Sequence, residues 1–453
     1  MAERATAEPV LIVGGGLSGL SLGVELRARG VPVTVLEAQD RPGGALRTRA
    51  EAGFLTEDAA NSYLDREPAT RALIEQVGLS GAVRHADPRA RSRFIFTAGA
   101  LRALPHSPPA LLASRIVPWS TKLRMLGEVL SRRGSDEDES LARFFRRHLG
   151  AHATEVLVDA MQTGTYAGDP ERLSARATFP KLVELERTHR SLLLGSLREQ
   201  RARKRNPQPL AGPPCTFARG MGMLPEALAE KLGSALQLSC PVTALRRDAG
   251  GWAVDIKSGT TLSAARLVLA LPSDPAGRLL GAVDGALATD LRGIAYAPVG
   301  VVHLGFESTT LATVPSGFGL LVPAVEGLPV LGIIFASSLF PFRAPDGQTL
   351  LSCILGGARH PELMETSDGH LVALAREGVA RTLKIQARPT LQSVVRWPAG
   401  IPQYEVGHLA RLARMETRLA ALPGLSLLGN AYRGVGVNDC VREAAALALN
   451  LTA

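Results

Sequence analysis

Residues 10–38 read VLIVGGGLSGLSLGVELRARGVPVTVLEA, and the order of these pieces decides the fold. Val10 to Val13 form a short apolar strand, a glycine turn follows, then an Ala/Leu/Arg-rich helix to about Arg29, then a second strand at 33–38. That is a βαβ unit. Within it Gly14, Gly16 and Gly19 make G-x-G-x-x-G directly after a strand and opening a helix, so that backbone N–H groups and the helix dipole meet a pyrophosphate. The glycines alone are a weak signal. Glu37 follows eighteen residues past Gly19, at the end of the second strand, where a carboxylate accepts hydrogen bonds from adenosine ribose hydroxyls. Together they specify a dinucleotide site in which Gly14, Gly15, Gly16, Leu17, Ser18, Gly19, Glu37 and Ala38 are the expected contacts.

The next residues separate FAD from NAD. Arg41, Pro42, Gly43 and Gly44, then Arg47 and Thr48, supply a second glycine turn near the pyrophosphate, which an NAD fold does not need. There is no second Rossmann fingerprint for NAD(P)H, so the electrons are expected from the substrate itself. At the other end of the chain, LLGNAYRGVGVND places Gly434 and Gly436 just before a helix whose N-cap is expected at Asn438 or Asp439. The positive pole of that helix would face the flavin pyrimidine and stabilise negative charge on the reduced ring. No cysteine precedes this helix at a position suited to covalent attachment, so noncovalent FAD is expected, one per chain.

The chain of 453 residues, 46% of them hydrophobic, can fill two or three domain cores. Its net charge of +9 is dispersed among 42 acids with no basic arm, which disfavours nucleic acid and suits an anionic membrane face or a polycarboxylate ligand. Cys215, Cys240, Cys353 and Cys440 lie far apart with no C-x-x-C spacing, against a disulfide framework, a zinc site or a redox dithiol. The opening MAERATAEP has no apolar signal-peptide core, and the uncharged stretches 308–325 and 327–342 are broken by proline and glycine, so no membrane span is expected. A reduced cytoplasm is the simplest compartment. Nothing in the sequence fixes an oligomeric state, and a homodimer stays open.

Residues 105–205 have helical periodicity, with Leu123, Leu126, Val129 and Leu130 on one face and Leu141, Phe144, Phe145 and Leu149 on another. A Pro-rich break at 206–214 reads as a linker. A helix at about 221–232 leads into strands around LSCPVTALRRD, WAVDIKSG and the run at 267–272, and residues 294–400 are β-rich apart from a helical interval near 368–384. The fold class is α/β, α+β taken as a whole. The expected domains are a discontinuous Rossmann-like FAD domain (1–85, 212–288 and 418–453), a helical domain (105–205) and a mixed-sheet substrate domain (86–104 and 289–417).

The segments GGGLSG with LEAQDRPGG, DREPATRALIEQVGL, RSRFIFTAGALRALPHSPP, MQTGTYAGDPERLSARATFPKL, GFGLLVP, RWPAGIPQYEVGHL and LLGNAYRGVGVNDCVREA together resemble the oxygen-dependent protoporphyrinogen oxidases of the eukaryotic and myxobacterial type. The resemblance runs over nearly the whole chain. It implies oxidation of a porphyrinogen by hydride transfer to flavin, with dioxygen as acceptor, and helices that touch a membrane. By the same resemblance Arg93 pairs with a substrate propionate, Phe318, Leu321 and Ile354 line the pocket, and the carbonyl of Gly164 faces the pyrrole nitrogens. Val242, Trp397, Gly429, Gly436, Val437 and Asn438 join the flavin contacts. One stretch departs from the pattern: after Glu57 stand Asp58, Ala59, Ala60, Asn61 and Ser62, where relatives have Gly-Pro before Asn. Ala59 to Ser62 are still expected beside the flavin ring.

Read without the resemblance, Arg93 is a solvated strand end and Phe318, Leu321 and Ile354 are core. His148 and His152, at i and i+4 with Gly150 between them, read as a solvated helix face and not as a metal site. Arg198, Arg201, Arg203, Lys204 and Arg205 are a solvated helix end or, with Trp119, Leu111, Leu112 and Ile116, a contact with an anionic bilayer. The rival functions are a coproporphyrinogen oxidase of the same fold, a flavin amine oxidase, and an FAD protein without turnover. A content of 4% aromatic residues leaves little for an aromatic cage around an amine.

Overall fold

The structure is a computed structural model that describes residues 9–105, 108–130, 137–205, 212–248, 251–311 and 314–452. A five-stranded parallel sheet runs in the order Leu236–Gln237, Val33–Leu36, Val10–Val13, Arg266–Leu269, Leu425–Leu427. Its inner strands are continuous apolar runs, as a sheet covered on both faces requires. Val10 and Ile12 face a core completed by the helices Leu17–Ala28, Met223–Leu232 and Val437–Thr452. Leu11 and Val13 face the opposite core with Trp252, Leu280 and Leu291, contributed by the antiparallel strands Val242–Asp248, Gly251–Ile256 and Thr261–Ala264 and by the helices after them. The glycine turn after Val13 thus lies at the carboxyl edge of a parallel sheet, where such sheets bind nucleotides.

A second sheet of seven strands runs in the order Leu391–Pro402, Tyr296–Glu307, Gln348–Gly356, Val330–Ile334, Gly319–Leu321, Arg93–Thr97, Ala100–Ala103. It is antiparallel except where Gly319–Leu321 lies beside Arg93–Thr97. Alternation splits its residues cleanly. Phe96, Val302, Leu304, Leu320, Ile333, Leu351 and Cys353 turn to one face, against Leu371, Ala375 and Val379 of the helix Asp368–Leu383.

Among the described residues between Pro108 and Arg205 the regular structure is helical, joined by short turns and loops with isolated bridges at Ser140, Leu173 and Ser174. Leu141, Phe144 and Phe145 are buried against Leu173, Leu185 and Tyr404. His148 is the fourth member of that apolar stripe, and here the reading of a solvated His148–His152 face is corrected. Gly150, with φ 84°, breaks the helix between the two histidines; His152 is exposed and His148 is fully buried. Its Nδ1 lies 2.6 Å from Glu128 Oε1 and its Nε2 3.3 Å from Glu186. Burial opposes the charge on His148, but hydrogen bonds to these two carboxylates outweigh it and raise the pKa. Glu128 also accepts from Leu192 N–H at 2.7 Å, capping the helix Leu192–Arg205.

The apolar residues expected to touch a membrane divide. Trp119, Leu123 and Leu126 project from the helix Trp119–Leu126 with 68%, 65% and 47% exposure, whereas Ile116 is buried. Arg198 and Arg201 are exposed, while the side chains of Leu112, Arg203, Lys204 and Arg205 lie outside the described residues, as do residues 206–211 of the expected linker. Pro214 already starts a strand, Pro214–Phe217. No helix among the described residues is long and apolar enough to cross a membrane.

Candidate functional site

The glycines of the first turn differ in what they make room for. Gly14 has φ 113°, and a Cβ there would stand 2.3 Å from Ala270 O; a Cβ on Gly19 would stand 2.0 Å from Gly14 O. These two let backbones pack. A Cβ on Gly16 would meet nothing within 4 Å, so this position opens onto space at the head of the helix Leu17–Ala28. The second turn folds over the same spot: Gly43 donates to Gly15 O at 2.8 Å and pairs with Gly16, and a Cβ on Gly44 would come 3.2 Å from Gly16 Cα. Arg41 is spent on the turn through a 2.9 Å bond to Gly44 O. Arg47 is exposed and has no side-chain partner among the described residues.

Glu37 is buried, its Oε2 accepting from Gly15 N–H at 2.6 Å and its Oε1 from Gln39 N–H at 2.8 Å. A carboxylate has acceptor capacity beyond two bonds. It borders a cleft of about 480 Å³ lined by Gly14, Ala38, Cys240, Val242, Leu271 and Asp274 among others. Val242 therefore stands at the Glu37 end of the site, away from the second sheet. Leu17 and Ser18 are buried at the start of their helix, where the Ser18 hydroxyl meets the Cys440 thiol.

The closing helix starts at Val437, so Gly436 occupies the cap position expected at Asn438 or Asp439. Asp439 instead reaches back to Gly436 N–H at 3.1 Å, and the Asn438 side chain donates to Leu64 O at 2.8 Å and accepts from Thr70 Oγ1 at 3.0 Å. Asn438 staples the helix to a neighbouring strand with its side chain. The Tyr404 hydroxyl bridges the incoming loop, donating to Asn430 O at 2.5 Å and accepting from Gly434 N–H at 2.8 Å; Gly429, with φ 141°, turns the chain into that loop.

Between the sheets lies the segment 58–62. Both amide atoms of Asn61 are buried without a partner, an arrangement that protein interiors avoid unless something else completes it. Ala59 is exposed, and Ala60 and Ser62 are half-buried. Trp397 Nε1 donates to Asp58 O at 2.7 Å, tying the second sheet to this segment. Two residues that the sequence did not single out also hold it. Arg49 grips the Asp58 carboxylate through bonds of 2.6 and 2.9 Å, and Arg343 Nη2 donates to Asn61 O at 2.7 Å and to Glu57 Oε1 at 2.8 Å. Desolvation of the Glu57 carboxyl raises its pKa to about 7, and burial lowers that of Arg343 to about 10. The one sequence signal for Arg343 is its place at the end of the uncharged run 327–342.

The other face of the seven-stranded sheet carries the residues expected at the substrate. Register aligns Ile95, Leu321, Gly332, Ile354, Val301 and Val395 in one row across six strands. The row beside it contains Arg93, Gly319, Ile334, Ser352, His303 and Ser393. Leu321 and Ile354 sit mid-sheet yet stay half-exposed. A Cβ on Gly164 would lie 3.2 Å from Leu321 Cδ2, so the helix Asp159–Tyr166 crosses close above that row. Arg93 is exposed one strand in from the sheet edge, its guanidinium 5.0 Å from the centre of the Phe318 ring, with no carboxylate partner among the described residues. Burial of its surroundings lowers its pKa. At the other end His303, fully buried, bonds Ser352 at 2.9 Å, and desolvation lowers its pKa to about 4, which keeps it neutral.

Among the described residues one cluster of metal-ligand type lies elsewhere: Asp65, His85 and Cys215 offer atoms within 4.8 Å of one another. These groups already have partners. Asp65 holds Arg71 at 2.5 Å and the Cys215 thiol meets His85 Nδ1 at 3.1 Å. All four cysteines are free.

Comparison with known proteins agrees with this geometry. The chain is 32% identical to the chloroplastic protoporphyrinogen oxidase of Nicotiana tabacum, over 98% of this chain and 85% of the relative. It is 27% identical to the coproporphyrinogen III oxidase of Bacillus subtilis, over 96% of each. A crystal structure from Exiguobacterium sp. 255-15, of a protein provisionally named protoporphyrinogen oxidase, superposes with a TM-score of 0.85 at 26% identity and 98% coverage of both chains. Putrescine oxidase shares the fold at a TM-score of 0.70 and 17% identity, over 98% of this chain and 99% of the other. Since the family model for flavin containing amine oxidoreductases matches residues 17–449, from the first helix to the last, the chain belongs to that family, and FAD is the cofactor that its glycine turns accommodate.

Proposed function

We propose that this protein oxidises protoporphyrinogen IX to protoporphyrin IX with dioxygen as acceptor, the penultimate step of haem formation. The observation that carries the reading is one face of the seven-stranded sheet: an apolar row in which Leu321 and Ile354 stay half-exposed, with an unpaired cation, Arg93, toward one edge. A porphyrinogen has the same layout, a broad apolar ring with carboxylates on one side.

Each residue has a part in this reading. Gly16 leaves space for the pyrophosphate under the amides of the first helix, Glu37 accepts from the ribose, Val242 and Ala38 flank the adenosine, and Arg47 is free to pair with a phosphate. Asn61 meets the flavin ring, and the first turn of the closing helix, from Val437, stabilises negative charge there. When bound, FAD supplies the two-electron acceptor chemistry. Arg93 holds a propionate through the guanidinium fork, Phe318, Leu321 and Ile354 exclude water from one face of the macrocycle, and the Gly164 carbonyl accepts from a pyrrole N–H. No protein base is required, because hydride loss from a meso carbon gives a cation spread over the pyrroles; over three rounds two N–H protons and, after tautomerisation of the substrate, one meso proton leave to water. Six hydrogens leave the substrate and three dioxygen molecules become three peroxides. The protein's contribution is orientation.

The second reading is oxidation of coproporphyrinogen III, favoured by the 27% likeness to the Bacillus subtilis enzyme. Its two additional carboxylates would have to face Leu321 and Ile354, and burying unpaired charge on such a surface is costly. The helices of 105–205 touch an anionic membrane surface through the exposed Trp119, Leu123 and Leu126, and 86–104 with 289–417 act as the substrate domain beside an FAD domain of 1–85, 212–288 and 418–453, a division supported by the two separate sheets. The FAD is released by acid, being held without a covalent bond. Aerobic turnover of each porphyrinogen, followed by porphyrin fluorescence and peroxide yield, tests the reading. Three peroxides per protoporphyrin, with coproporphyrinogen the poorer substrate, is the expected result; porphyrin from neither substrate overturns it.

A further inference from the structure

Arg343 is 1% exposed, the largest charged side chain among the fully buried residues described, and the reaction outlined above gives it no work. It follows the short helix Ala336–Leu339 and carries its guanidinium from the seven-stranded sheet into the glycine-turn layer. There Nη2 faces Glu57 Oε1 at 2.8 Å, Asn61 O at 2.7 Å and Thr216 Oγ1 at 3.2 Å, while the guanidinium carbon sits 4.9 Å from the centre of the Phe340 ring. Glu57 is itself fixed, accepting from Thr48 Oγ1 at 2.8 Å and from Met221 N–H at 2.9 Å. A buried ion pair is a poor source of stability, since desolvation cancels much of the attraction. A reason other than stability is needed for keeping a cation here.

The shortest of its bonds supplies one. No backbone-to-backbone hydrogen bond is donated by Ala59, Ala60 or Asn61 among the described residues, so the turn does not hold its own shape. It is held from outside, by Arg49 on the Asp58 carboxylate, by Trp397 on the Asp58 carbonyl and by Arg343 on the Asn61 carbonyl. Only the last grips the residue whose side-chain amide is buried and unpartnered. We propose that Arg343 is a positioning residue: its bond to the Asn61 carbonyl fixes the Asn61 amide against the flavin ring, and Glu57 keeps the guanidinium aimed. The role rests on the FAD reading given above. It is one of geometry, because the planar guanidinium fixes the directions in which Nη2 donates to Glu57 and Asn61, whereas an ammonium is a point charge on a flexible stem.

The test is a double-mutant cycle on the FAD-loaded protein with Arg343→Lys, Asn61→Ala and the pair, reading kcat, KM and the flavin reduction potential. Arg343→Lys alone should stay folded and keep its FAD, lower kcat about tenfold, as loss of one buried hydrogen bond does, leave the porphyrinogen KM within about twofold, and shift the potential. In the Asn61→Ala background the same replacement should change kcat and potential little, because the amide it positions is gone. Equal fold-losses in both backgrounds, or a wild-type potential in Arg343→Lys, would overturn the proposal. Should Arg343→Lys not fold, Glu57→Gln, which keeps the shape and removes the charge that aims Arg343, must show the same background dependence, and its absence counts equally against the role. A wild-type chain that binds no FAD removes the site on which both readings stand; one that binds FAD and turns over, with an additive cycle, removes Arg343 alone.

Discussion

Replacing Arg93 by alanine separates capture of the substrate from binding of the flavin. The side chain has no carboxylate partner among the described residues, so its removal strands no buried charge; what the protein loses is the contact with the Phe318 ring at 5.0 Å. At an exposed site such a contact contributes about 0.5–1 kcal/mol, which in a chain of this length moves Tm by only about 1–2 °C. The substrate loses more. A charge-assisted, forked hydrogen bond to a propionate contributes about 1.5–3 kcal/mol, and at 1.36 kcal/mol per tenfold kcat/KM should fall roughly 10- to 150-fold. Arg93→Lys should recover part of this, keeping the charge without the fork. If the bond is equally strong in ground and transition states, KM takes the loss; a fall in kcat shows that the anchor also aligns the meso carbon. The assay is steady-state kinetics with flavin content and Tm measured on the same preparation. Wild-type kcat and KM in Arg93→Ala, with flavin intact, would refute the reasoning and leave Arg93 a solvated strand end.

The two ends of the first glycine turn should respond in opposite ways. Gly14→Ala, at φ 113° with Ala270 O 2.3 Å from the added carbon, should destabilise the fold by more than about 2 kcal/mol, whereas Gly16→Val should leave apoprotein Tm nearly unchanged and weaken FAD about 100-fold in a flavin-fluorescence titration. Vesicle flotation should carry the protein upward with anionic and not neutral lipid at low salt, and serine at Trp119, Leu123 and Leu126 should abolish this without changing kcat; flotation of the variant would place the contact elsewhere. His148, whose folded pKa is raised, should contribute stability in full below its unfolded value of about 6.5 and lose that contribution as pH rises through the folded value. The Tm difference between wild type and His148→Asn should therefore shrink from acid to alkaline pH, and a difference that grows would reverse the assignment.

What the sequence revealed of this site was what local rules dictate. Gly14 and Gly19 are read from spacing because close backbone contact leaves no alternative residue, and Glu37 because strand, turn and strand fix its distance from them. The cap of the closing helix was placed two to three residues too late, since Asn438 and Asp439 both look like caps; their side chains serve Leu64 and Gly436 instead. His148 reads as polar although it completes the stripe of Leu141, Phe144 and Phe145, and only the distant Glu128 and Glu186 make its burial tolerable. Leu321 and Ile354 look like core because half-exposure has no signature in one strand; only register sets them in one row. Arg343 sits in turn-like text, and its partners Glu57, Asn61 and Thr216 come from other parts of the chain. Pairings of this kind are written in the tertiary fold, where a single sequence offers no rule to follow.

The central claim, that a porphyrinogen gives its electrons to FAD held in this site, is tested most directly by mixing the yellow protein with protoporphyrinogen IX in the absence of oxygen. The visible flavin absorption should bleach, porphyrin should appear in step with it, and admission of oxygen should restore the colour with release of peroxide. A flavin that stays oxidised in the presence of excess protoporphyrinogen would contradict the account.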